Sequence, residues 1–211
     1  MKISPDALTA PRYTLLDKLD HNNLIPFVQR YLYKKTFSTL LYLFFSLAGI
    51  IGTLIYIIVV IRSGNISMGK SLSYLSYGIA LTFLLIPLHE YIHVLAYKSL
   101  GAVKTSYDAN LKKFYFLAIA DKFVANKKEF RIVALAPFIA ISLALFCLLP
   151  FVSVNWQISL LGIFITHTAC CSGDFGMLGY FDYYKDKIVL TYDDRQEKTT
   201  YFYADQQSAL N

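Results

Sequence analysis

The stretch Leu84–Tyr97, LLIPLHEYIHVLAY, sets three strongly hydrophilic side chains, His89, Glu90 and His93, inside an otherwise apolar run. If the run is a helix, His89 and His93 stand one turn apart on one face, where both imidazoles can reach a single ion. Glu90 lies one residue round from the first of them. Three such groups within five positions of an apolar helix are hard to explain as packing residues, because each is costly there unless paired or ligated.

The surrounding composition defines the helix. Of 211 residues, 56% are hydrophobic and 16% are charged, and the mean hydropathy is +0.46. Soluble domains run nearer a quarter charged. The apolar residues come in long uninterrupted runs, which predicts a polytopic membrane protein, all-α, with about four transmembrane helices. The predicted spans are about residues 37–61, 71–100, 131–152 and 156–180. The first apolar run is too long for the h-region of a signal peptide, so no cleavable signal is expected. Cys147, Cys170 and Cys171 all lie in apolar runs, so a disulfide framework is not expected either.

Outside the spans the chain is more polar. Residues 1–36 are read as a cytoplasmic segment in which Leu24–Tyr33 forms an amphipathic helix on the membrane surface. In the connection of residues 102–130, Phe114–Ala120 is rich in aromatic and β-branched residues. It reads as a strand paired with Val103–Tyr107 across Asp108–Lys113, giving a β-hairpin-like loop; the alternative is an ordinary amphipathic surface loop. Residues 182–211 form a short polar tail, in which Ile188–Tyr192 and Thr200–Tyr203 can make a small hairpin around DDRQEK.

Basic residues set the orientation. Six precede the first span, two lie between the first and second, eight run from Lys98 to Arg131, none separates the third and fourth, and four follow. Both termini and the loop from Lys98 to Arg131 are thus expected in the cytoplasm. The second and fourth spans then run in the same direction, and each carries a buried carboxylate near its cytoplasmic end, Glu90 in one and Asp174 in the other.

The order His89-Glu90-x-x-His93 is the H-E-x-x-H spacing of zinc hydrolases. A catalytic zinc takes three protein ligands and leaves one position open, so a third ligand is needed. Asp174, at the same depth on a parallel span, is chemically suitable; the alternative is a helix-end carboxylate at the water boundary. Cys170 and Cys171 rank below it. His167, seven residues before Asp174, points almost the same way on a continuous helix. It either steadies an oxyanion, orients a ligand or bonds between helices. Pro87 is expected to bend its helix.

These residues resemble the membrane zincins of the site-2 protease type, and in particular the small bacterial proteins catalogued as putative zincin peptidases. The resemblance covers roughly Leu84 to Tyr180: LHEYIH, the aromatic and basic loop, KKEFRIVALAPF entering a proline-containing span, and CSGDFGML. It implies a membrane-embedded zincin domain over residues 37–181, with zinc (Zn2+) held by His89, His93 and Asp174 and Glu90 as the catalytic base. Site-2 proteases carry an asparagine and a proline ahead of the zinc aspartate, where this chain reads THTACCSGD with Thr166 and Ala169. The group that stabilises the transition state is therefore not carried over, and His167 is the candidate replacement.

The implied activity is zinc-dependent intramembrane endopeptidase action on a membrane protein or peptide near the cytoplasmic face of a bacterial inner membrane. Nothing points to nucleic acid, and oligomeric state and substrate are not legible. The alternative is a non-proteolytic metal-binding or transport protein, which needs polar groups across the bilayer; the outer halves of the spans show only hydroxyls and glycines.

Overall fold

The computed structural model describes residues 3–110 and 115–206. Strand β1 (Tyr13–Asp20) leads into α1 (Leu24–Leu32), followed by α2 (Phe37–Arg62) and α3 (Met68–Ser99). Strands β2 (Thr105–Asn110), β3 (Tyr115–Ala120) and the two-residue β4 (Ala125–Asn126) precede α4 (Lys127–Leu148). The chain closes with α5 (Val154–Cys170), α6 (Ser172–Tyr183), β5 (Ile188–Asp194) and β6 (Thr199–Asp205).

The chain is not all-α. Among the described residues, beside six α-helices, there are a two-stranded antiparallel sheet, β2–β3, and a four-stranded antiparallel sheet in the order β1-β6-β5-β4. The expected tail hairpin is β5–β6, and it is the centre of the larger sheet, flanked by strands the composition hides. In β1, Tyr13 pairs with Asp205 across almost the whole chain, and a bulge between Leu15 and Asp17 breaks the alternation by which a strand is recognised. The loop strand is present too, with Thr105 opposite Ala120 and Tyr107 opposite Ala118. Phe114, its expected first residue, lies with Leu111, Lys112 and Lys113 outside the described residues.

α2, α3 and α4 with its short 3-10 extension to Phe151 are each long and apolar enough to cross a membrane. Their outward faces are apolar as well: Leu43, Phe44, Leu47, Ile51, Leu54, Ile55 and Ile58 of α2 are all exposed. A helix apolar all round with an exposed apolar face is suited to hydrocarbon surroundings. α5 and α6, bent by 43° at Cys171, are together long and apolar enough to make a fourth crossing if the pair counts as one span. α3 passes through Pro87 without a break.

α5 is the central helix, with α2, α3 and α4 packed round it. α3 meets it glycine to glycine: a Cβ on Gly78 would lie 2.2 Å from the Ser159 carbonyl oxygen, and Gly162 faces the Leu75 carbonyl at 2.9 Å. Ser159 Oγ donates to the Tyr74 carbonyl at 2.7 Å beside this crossing. Small residues let two helices approach this closely in lipid, where packing and not hydrophobicity holds them together. At the other end, Asp182 closes α6 onto two helix starts. It accepts from Ser38 N at 2.9 Å and Ser38 Oγ at 2.6 Å, and pairs with Lys127 at 3.0 Å. α1 does not stand alone, because Val28 and Tyr31 pack on α6, and Tyr31, Tyr180 and Phe202 join α1, α6 and the larger sheet in one aromatic core.

Candidate metal centre

His89, Glu90 and His93 lie in the last third of α3, and Asp174 lies in the first turn of α6. The crossing of α3 on α5 and the bend into α6 bring them together. His89 Nε2 and His93 Nε2 are 3.1 Å apart. Asp174 closes the triangle, with Oδ2 3.3 Å from His89 Nε2 and Oδ1 3.2 Å from His93 Nε2. Zinc bonds of about 2.0–2.1 Å at tetrahedral angles set ligand atoms about 3.3–3.4 Å apart, so the triangle fits that ion. The Glu90 carboxyl is within 4.8 Å of both histidine ligand atoms and also faces the backbone N–H of Ala118 in β3.

Each imidazole is held from behind. His93 Nδ1 lies 2.9 Å from the Val133 carbonyl of α4 and donates to it, which fixes the tautomer with Nε2 free to accept. The Val133 carbonyl is available because the residue four places on is Pro137, inside α4, which has no N–H to give it. This contact was not anticipated from the sequence, although the spacing from Val133 to Pro137 was its signal. Pro137→Ala restores the helical bond and makes a competitor for that carbonyl. We expect the variant to be more stable in a melting measurement and yet to bind zinc about tenfold more weakly by competition with a chelator, whereas unchanged affinity would remove the link.

His167 borders a cavity beside the triangle and also backs one of its imidazoles. Its Nε2 lies 3.1 Å from His89 Nδ1, on the far side of that ring from Asp174. The continuous helix that would align it with Asp174 is interrupted at Cys171, so His167 belongs to α5 and Asp174 to α6. The arrangement that leaves His89 Nε2 free has Nδ1–H donating to His167 Nε2. His89, His167 and Cys171 form a second buried cluster of possible ligands. Cys171 Sγ, however, is 3.9 Å from both nitrogens of the His167 ring. A sulfur equidistant from the two is on neither lone-pair axis, and it packs against the ring instead of sharing a metal with it.

Two cavities that share lining residues adjoin the triangle. One, of about 130 Å³, extends under β3 and β5 and includes Tyr97, Phe116, Met177 and Asp193. The other, of about 510 Å³, runs between α1 and α3 past Ile25, Leu32, Tyr42, Phe83 and Ile86. Leu24, Val28, His89, Glu90, Phe116 and Gly173 border both.

No curated protein and no solved structure matches the chain. The family model described as "Putative zincin peptidase" matches residues 82–188, a segment that runs from just before the His89-Glu90 pair to the first residue of β5. The match covers just over half of the chain and includes every residue of the triangle, and its description suggests zinc-dependent peptidase activity. The chain belongs to the putative zincin peptidase family.

Proposed function

We propose that the chain is a zinc-dependent endopeptidase of the site-2 protease type, cutting a membrane-embedded protein or peptide near the cytoplasmic end of its span. The observation that carries the reading is the triangle of His89, His93 and Asp174 with Glu90 beside it, set among helices with apolar outer faces. A zinc ion held there supplies a Lewis acid that polarises a carbonyl and makes water acidic enough to lose a proton near neutral pH.

The side chains do the rest. Glu90 takes the proton from the attacking water and returns it to the leaving amine. His93 and His89 are kept in the binding tautomer by the Val133 carbonyl and by His167, so His167 acts as a positioning residue and not on the oxyanion. A transmembrane helix hides its peptide bonds and must unwind before attack. The edge of β3 beside Glu90 offers backbone groups to the extended strand that results. In this reading both termini and the loop from Lys98 to Arg131 face the cytoplasm, and the wide cavity between α1 and α3 admits substrate sideways.

The test uses the purified chain in lipid vesicles with a fluorogenic single-span peptide. Cleavage stops when a chelator strips the metal and returns when zinc is added back; cleavage that survives metal removal refutes the reading.

A further inference from the structure

The smaller cavity has one charged side chain outside the metal cluster. Apart from His89, Glu90, His93 and Asp174, its described lining is apolar or uncharged except for Asp193 of β5. The Asp193 carboxylate accepts a hydrogen bond from Thr200 Oγ1 at 2.6 Å and faces the Ala120 backbone N–H at the end of β3. Behind Thr200 stands buried His21, its Nε2 3.1 Å from that hydroxyl. Tyr97 lines the same cavity, within electrostatic reach of three acidic groups, Asp193, Asp174 and Glu90.

Among the described residues no lysine or arginine pairs with Asp193. The nearby cations are committed elsewhere: Lys122 to Asp194 at 2.5 Å and Lys198 to Asp108 at 3.5 Å. Burial pushes the Asp193 carboxyl above its ordinary value, against the pull of the Thr200 hydroxyl and His21. A carboxylate kept in an apolar cavity without a counter-charge is costly, and a cation brought by a ligand removes that cost.

We propose that Asp193 is a substrate subsite that takes a primary ammonium or guanidinium group, so that the bond cut lies between an apolar stretch and a Lys or Arg. The assignment rests on the peptidase reading for its scissile bond, but the subsite stands on its own geometry. The cavity between α1 and α3 has mostly apolar walls, with Ile25, Leu32, Phe83 and Ile86 among them and Glu90 as the one acid of its described lining, whereas the cavity under β5 is lined by the Asp193 carboxylate as well. An extended chain lying in both passes Glu90, which borders each. Its apolar part then occupies one side and its cation the other. That order, an apolar run followed by Lys or Arg, is the pattern at the cytoplasmic end of a membrane span. The site therefore reads the boundary of a span and not a particular side chain within it.

The experiment separates binding from cleavage. Fluorescent peptides with one apolar segment followed by Lys-Lys or Glu-Glu are titrated onto the full chain carrying Glu90→Gln, in nanodiscs of uncharged lipid, and read by anisotropy. The Lys-Lys peptide is expected to bind about tenfold more tightly than the Glu-Glu peptide. Adding Asp193→Asn brings the ratio close to one, Asp193→Glu restores it, and Asp193→Lys inverts it. A ratio near one with Asp193 intact overturns the subsite, whether or not the Asp193 variants fold, as does a ratio that Asp193→Asn leaves unchanged. The same peptides given to the chain with Glu90 intact separate the two readings. Cleavage indifferent to the flank refutes the subsite alone, and Lys-selective binding with no cleavage of either peptide refutes the peptidase reading alone.

Discussion

Glu90→Gln lowers the rate of peptide-bond cleavage by about two to four orders of magnitude while the purified protein keeps its zinc. The amide has nearly the shape of the carboxyl, so the packing of α3 against β3 is preserved, and it is not one of the three groups forming the triangle. What it loses is the ability to take a proton from water and return it to the amine. Quantitative cleavage of the vesicle substrate with a metal assay in parallel gives both numbers from one preparation. Undiminished turnover with zinc bound would rule Glu90 out as the base and shift the search to another group bordering the cavity.

Asp174→Ala has the second large effect, and here it falls on the metal. The carboxylate spans the two imidazoles, 3.3 Å from one and 3.2 Å from the other, and is the only member of the triangle supplied by α6. Without it two histidines on one helix remain, and zinc affinity drops by more than the roughly 10–100-fold that loss of an outer-shell partner costs. Metal analysis of the purified variant should find the site largely empty, and cleavage should fall with it. Full occupancy would assign the third ligand to another residue, with Glu90 next in reach. The two variants are complementary, since one keeps the metal without turnover and the other loses both.

The apolar runs were legible because a membrane-crossing helix must be apolar over its whole length, and no competing structure reads that way. His89, Glu90 and His93 were legible for the opposite reason, as polar groups where none is tolerated without a task. Asp174 followed from depth and direction. The larger sheet was legible only as its central hairpin, β5–β6. β1 carries Asp17, Lys18 and a bulge, β4 is two residues long, and the strands that complete them lie far away in sequence. The break at Cys171 was hidden as well, because the composition stays apolar across it, and with it went the argument that His167 points almost the same way as Asp174 from two turns away. The hold of Val133 on His93 could have been read from Pro137, but only by asking what a missing N–H leaves free and not merely where it bends a helix.

The pairing of β1 with β6 has a consequence for the order of assembly. Tyr13 leaves the ribosome long before Asp205, its partner across the sheet. All of the long apolar helices are therefore made while the strand that completes the sheet is still to be synthesised, and such distant pairings form late. β5 and β6 carry Asp193 and Thr200, so one wall of the cavity is built after α2 to α6. The nascent chain has His89, Glu90, His93 and Asp174 before it has the strands that wall the cavity beside them.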